Sequence, residues 1–153
     1  MPSDVRYKVT EKEESDYITT SSNSTGAIKK NETSSVIFYN QKKPEPVKVS
    51  FKAIKTMDGD TPSQIFTFIL TDENGNIIQT KTNSGKDILF DEIVFDKEGQ
   101  YIYFVKEVIP TDQGNIIYDD TVYKVIVNVT KDNDYKASVE YYAEGSNACI
   151  TDI

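Results

Sequence analysis

The chain has 153 residues, 37% of them hydrophobic and 27% charged, enough apolar material for the core of one domain, or of one and a part. A net charge of −8 argues against nucleic-acid binding, which needs a basic patch to displace counterions. With no histidine and a single cysteine, Cys149, these residues exclude Ser-His-Asp and Cys-His catalysis, the commonest zinc ligand and any internal disulfide.

No apolar run approaches the roughly 18 residues of a spanning helix, so no membrane insertion is expected within the chain. "MPSDVRYKVT" lacks the apolar stretch of a secretory signal. A signal or wall anchor, if the protein is exported, is expected outside these residues.

In chain order the predicted elements are strands joined by turns, with no convincing amphipathic helix. "VRYKVTE" (5–11), "YITTSS" (17–22) and "SSVIFYN" (34–40) form a first group, too few strands to bury a core alone. Residues 1–40 therefore read as the closing strands of a truncated β module. "QKKPEP" (41–46), with two prolines in a polar stretch, predicts a short, stiff linker.

Residues 47–153 hold a second and richer group. "VKVSFKAIK" (47–55) alternates cleanly, and "IFTFILT" (65–71) and "IIQTKT" (77–82) flank Asn74-Gly75, which predicts a type I′ hairpin. "ILF" (88–90), "EIVF" (92–95), "QYIYFVKEV" (100–108), "VYKVIVNVT" (122–130) and "YKASVEYYA" (135–143) follow. The intervening "DKEG", "DQGN" and "KDND" supply residues that accept turn dihedrals. Short strands at this spacing predict an all-β fold, an antiparallel sandwich. "ACITDI" reads as the opening of a further strand, so the last strand of this module is expected beyond Ile153.

Side chains alternate along a strand, so residues two apart share a face. On that test Tyr101, Tyr103 and Val105 form one row, and the next residue on it is Glu107. Val47, Val49, Phe51 and Ala53 lead to Lys55. Val5, Tyr7 and Val9 lead to Glu11, and Val36 and Phe38 lead to Asn40. Strands commonly turn polar where they leave a sheet, and that explains any one of these residues. The set of types is more specific: a lysine, an acid and an asparagine are the ingredients of an intramolecular isopeptide bond.

The chemistry needs burial. A lysine attacks an amide only as the free amine, which an apolar surround favours, and the same surround favours the protonated carboxyl. A protonated Glu polarises the amide carbonyl by hydrogen bonding and shuttles the proton as ammonia leaves. A rigid sandwich supplies the proximity.

These residues carry a resemblance. Residues 47–153 resemble the pilin isopeptide-linkage domains of Gram-positive surface proteins, the FctA or T-antigen type. Lys55 precedes "TMDGD", "FTFIL" follows at 66–70, "GQYIYFVKE" at 99–107, and "IIYDDTVYKVIVNVT" at 116–130 is similar to the family's "Y-D-x-x-x-Y-x-V-x-V" segment. Residues 2–40 resemble the closing strands of a related Cna B-type pilin repeat, through "PSDVRYKVTEKE" and "SSVIFYN". The resemblance implies an Ig-like (Cna B-type) β-sandwich. It implies Glu107 and Glu11 as bond-promoting acids, Lys55 as a cross-linking lysine and Asn40 as a cross-linking amide. It further implies a load-bearing stalk or pilus-shaft module of a cell-wall-anchored extracellular protein, a single-turnover self-modification in place of enzyme catalysis, and no cofactor. The implied partners are neighbouring domains of the same surface protein, other pilin subunits or a host ligand.

Neither module holds a complete triad by this reading. The first lacks its lysine strand and the second its asparagine strand. Asn128 shares a phase with Lys124, opposite the row of Tyr123, Val125, Val127 and Val129, and is no easy substitute. Donation of Asn40 to Lys55, more easily from a second chain, is a further route. The alternative function is an adhesin module that binds host glycan or protein through its loops, with exposed tyrosines as the platform. Acids in "MDGDTPS" (57–63) and "DNDY" (132–135) lack the regular spacing of a calcium loop, and no metal site is assigned.

Overall fold

The structure is a computed structural model that describes residues 5–146 and 149–150. Residues 2–4 of the first motif and residues 148 and 151–153 of "ACITDI" lie outside the described residues. Among the described residues every regular element is a strand, and the chain divides into two units, Met1–Pro44 and Glu45–Ile153.

The described residues of the first unit form two antiparallel pairs. Strand β1 (Arg6–Lys8) pairs with β3 (Thr25–Ala27), and β2 (Tyr17–Ser22) pairs with β4 (Ile37–Lys42). The Tyr7 ring lies over Gly26, where a Cβ would come within 2.7 Å of the tyrosine oxygen. The three-residue β3 is a strand that the periodicity does not signal, because Thr-Gly-Ala carries no apolar alternation. The expected inward row is also corrected: Val5 is 46% and Val9 41% exposed, and only Tyr7 between them is half-buried. Two separate ladders of two strands give that row no facing layer among the unit's described residues. β1 ends at Lys8, so Glu11 lies beyond the strand, and β4 continues past Asn40 to Lys42.

The second unit is an antiparallel β-sandwich. Strands β5 (Val47–Val49), β6 (Lys52–Ile54), β7 (Thr67–Asp72), β8 (Ile77–Thr82), β9 (Asp87–Leu89), β10 (Ile93–Phe95), β11 (Gly99–Glu107), β12 (Tyr123–Lys131), β13 (Tyr135–Ala143) and β14 (Cys149–Ile150) follow in order. One sheet runs β14-β13-β12-β11-β7-β8, and the pairs β10-β5 and β6-β9 make up the other layer. The predicted strand 47–55 is thus broken in two. Its halves take different partners, and the Phe90 N–H donates to the Phe51 carbonyl between them.

Alternation fills the space between the layers. Val49, Phe51, Ala53, Ile88, Phe90 and Phe95 pack with Phe68, Leu70, Tyr103, Val105, Val125, Val127 and Val129. Burial of such side chains contributes about 1.5–3 kcal/mol each. Phe51 meets Tyr103 with ring centroids 5.5 Å apart and Phe95 meets Tyr101 at 4.7 Å, so Tyr101 and Tyr103 serve the core, as their phase predicts.

The β7–β8 turn differs from the type I′ expectation. That type needs positive φ at both central residues, and here Gly75 has φ 83° while Asn74 does not have positive φ. The Gly75 N–H donates to the Asp72 carbonyl, and the Asp72 carboxylate accepts from the backbone N–H groups of Asn74 and Asn76 and from the Asn76 side chain. Those bonds, the Asn76 side chain's first, hold the Asp72 carboxyl below its ordinary range. A depressed folded-state pKa stabilises the fold above the unfolded-state value and loses that stabilisation as pH falls through the folded one. Asp72→Ala should therefore lower the melting temperature at neutral pH. The difference from wild type should shrink in acid, a trend that thermal melts across pH would check.

Candidate functional site

Register places an acid where the β11 core row ends. Tyr103 and Val105 are buried and Glu107 continues their row, its side chain 2% exposed. β7 still pairs with β11 at that point, Glu107 opposite Phe68, whereas the β12 ladder stops at Val105 opposite Tyr123. Lys55 arrives from the other layer, one residue past β6 and in phase with Phe51 and Ala53. Its backbone N–H donates to the Lys86 carbonyl at 2.8 Å, which fixes where its side chain starts.

The two side chains meet. Lys55 Nζ donates to Glu107 Oε2 at 2.9 Å and sits 4.7 Å from the centroid of the Phe66 ring, whose electron-rich face attracts the cation. The lysine side chain is 12% exposed, so this ion pair is desolvated on both sides. The Asp119 backbone N–H also donates to Glu107 Oε2, at 3.3 Å. Glu107 Oε1 is buried with no hydrogen-bond partner among the described residues. A cavity of about 50 Å³, bounded by Lys55, Phe68, Val105, Glu107, Asp119 and Tyr123 among others, adjoins the pair.

Asp119 is a residue the sequence reading missed, although it lies in the quoted "IIYDDTVYKVIVNVT" segment. Its carboxylate accepts from the Thr121 N–H at 2.9 Å and from the Tyr123 hydroxyl at 3.4 Å. The Thr121 hydrogen bonds foremost, with the Lys55 charge adding to them, keep the Asp119 carboxyl below its usual range against the opposing effect of burial. Burial first, then the Asp119 charge, pushes the Tyr123 hydroxyl up, so it remains a proton donor at neutral pH.

The first unit holds the other two predicted residues together. The Asn40 side-chain amide donates to Glu11 Oε1 at 2.8 Å, and Asn40 Oδ1 accepts from the Thr19 hydroxyl at 2.7 Å across the β2–β4 ladder. Both Glu11 and Asn40 are exposed, along one side of a recess of about 130 Å³ that Lys12, Glu14 and Tyr17 also line. Asn128 accepts from the Gln100 amide on the sheet face opposite the buried valine row, away from the Lys55–Glu107 pair.

The buried pair has a thermodynamic signature. Breaking it by Lys55→Ala leaves a desolvated carboxylate unpaired and should cost about 3–5 kcal/mol in denaturant unfolding. Replacing both partners by apolar residues, Lys55→Met with Glu107→Leu, should come out near neutral. Equal losses for the single and double variants would mean that the pair is not desolvated.

No curated protein matches the chain. A family model described as FctA, Spy0128-like isopeptide containing domain, matches residues 51–149, more than half of the sequence. That span begins at the buried Phe51, includes Lys55, Glu107 and Asp119, and ends at β14. The chain belongs to the FctA family of Spy0128-like isopeptide containing domains.

Proposed function

We propose that this chain is a structural module of a Gram-positive cell-surface protein, a stalk or pilus-shaft segment that autocatalytic intramolecular Lys-Asn isopeptide bonds reinforce in the intact protein. Family membership supports the pilin-type role and an extracellular location, and wall anchoring is part of this proposal. One observation carries the chemistry: a lysine amine 2.9 Å from a buried carboxylate whose second oxygen has no partner among the described residues.

In this reading Lys55 is the nucleophile and Glu107 the acid of the second unit, with the amide brought by an asparagine on a neighbouring strand. A proton from the Lys55 ammonium passes to Glu107 and is held on Oε1, the oxygen that carries no other hydrogen bond among the described residues. The result is a neutral amine and a carboxylic acid, which an apolar site tolerates better than two ions. Glu107 then donates to the amide oxygen and polarises its carbonyl while Nζ attacks the carbon. The new C–N bond forms, the old one breaks, and the asparagine nitrogen leaves as ammonia with the proton that Glu107 relays. The event is a single turnover within one chain, not enzyme catalysis. In the first unit the exposed Asn40 amide already meets Glu11, and a covering strand that carries a lysine would supply both the burial and the nucleophile this chemistry needs. Neighbouring domains of the same protein are the partners this role implies.

A bond that ties strands covalently routes tensile load past the hydrogen-bonded ladder. It also serves a chain whose one cysteine cannot form an internal disulfide. Intact mass of the full-length protein under denaturing conditions tests the proposal. The expected monomer is lighter by one ammonia for each bond, and Lys55→Arg and Glu107→Ala each restore the same single ammonia. A full-length monomer at its calculated mass would sink the isopeptide assignment of Lys55 and Glu107.

A further inference from the structure

We propose that Asp119 is a positioning residue, the pivot of a backbone clamp that turns Glu107 so that Oε2 faces Lys55 and Oε1 is left for the substrate amide. The proposal rests on the isopeptide reading for what the orientation is used for, but the clamp itself is a separate physical claim.

The argument starts from register. β7 holds the Glu107 backbone on one side, whereas on the other side the β12 ladder ends two residues short of it, at Val105 opposite Tyr123. Continued pairing would set Thr121 opposite Glu107. Instead the chain leaves the ladder, and the backbone N–H of Asp119 points at Glu107 Oε2. What diverts it is the Asp119 side chain, which accepts from the Thr121 N–H and the Tyr123 hydroxyl and so bends the segment back on itself. On the N-terminal side the Tyr118 ring stands edge-on to Phe66 at 5.6 Å, and the same Phe66 ring lies beneath Lys55 Nζ. Residues 118–123 are therefore anchored at both ends to the walls of the reaction site.

A carboxylate free to rotate presents either oxygen to either partner. With Oε2 fixed by two donors, Lys55 Nζ and the Asp119 N–H, only Oε1 remains to receive and deliver a proton at an incoming amide. Proximity effects of this kind are steep in distance and angle, so loss of the clamp should slow bond formation without abolishing it. Asp119 touches neither the amine nor the amide in this scheme and acts only through Glu107.

Two measurements test it. In the full-length protein, intact mass followed over time after dilution from denaturant reports the rate of ammonia loss. Asp119→Ala should slow that rate about tenfold or more. Asp119→Asn keeps an Oδ1 acceptor for the Thr121 N–H and should recover most of it. In protein that has not lost ammonia, hydrogen exchange at the amide of residue 119 reports the clamp separately from bond formation. It should be slow in wild type and about tenfold faster in Lys55→Met with Glu107→Leu, which fills the site but removes the acceptor. Wild-type rates in Asp119→Ala, an Asn variant as slow as the Ala variant, or equal exchange with and without Glu107 would each overturn the proposal. Protection of the residue 119 amide that depends on Glu107, in a protein that never loses ammonia, would uphold the clamp and refute the isopeptide reading instead.

Discussion

The buried contact between Lys55 and Glu107 is the constraint on which the second unit's reading depends. Removing two charges from water costs several kcal/mol for each ion, and a single hydrogen-bonded contact returns only part of that. Leucine and methionine would fill the same site with about the same stability, so stability alone does not call for the pair. Here the lysine is held by a backbone bond at its base and an aromatic face near its tip, and the carboxylate by two donors on one oxygen. The contacts fix the orientation of both groups.

The sandwich makes that orientation possible. Lys55 and Glu107 come from opposite layers, 52 residues apart in sequence, and meet because each follows an inward row of its own strand. Phe51 and Ala53 lead to one, Tyr103 and Val105 to the other, and the Phe51–Tyr103 ring contact joins the two rows just inside the site. A dense core transmits position faithfully, so strand register sets the distance between the lysine amine and the carboxylate.

Much of this was legible in the sequence because period-two alternation is a local signal. The all-β fold, the core tyrosines, and Lys55 and Glu107 at the ends of apolar rows follow from it directly. Other features depend on partners distant in the chain. The break in strand 47–55 arises because its halves pair with different strands, which alternation cannot report. Val5 and Val9 alternate like buried residues yet stay exposed, since burial needs a facing layer and not only a pattern. Asn74-Gly75 promised one turn type, but the Asp72 carboxylate favoured another by capping the loop. Asp119 escaped notice because its contribution to Glu107 is made by a backbone N–H, which no residue identity encodes.

The most direct test of the central claim is an atomic-resolution structure of the full-length protein, read at the Lys55 amine. The account predicts continuous density from Lys55 Nζ to a side-chain carbonyl carbon, with Glu107 Oε1 hydrogen-bonded to the new amide and Oε2 still held by the Asp119 N–H. A Lys55 side chain that ends as a free ammonium in the complete protein, still paired only with Glu107, would contradict it.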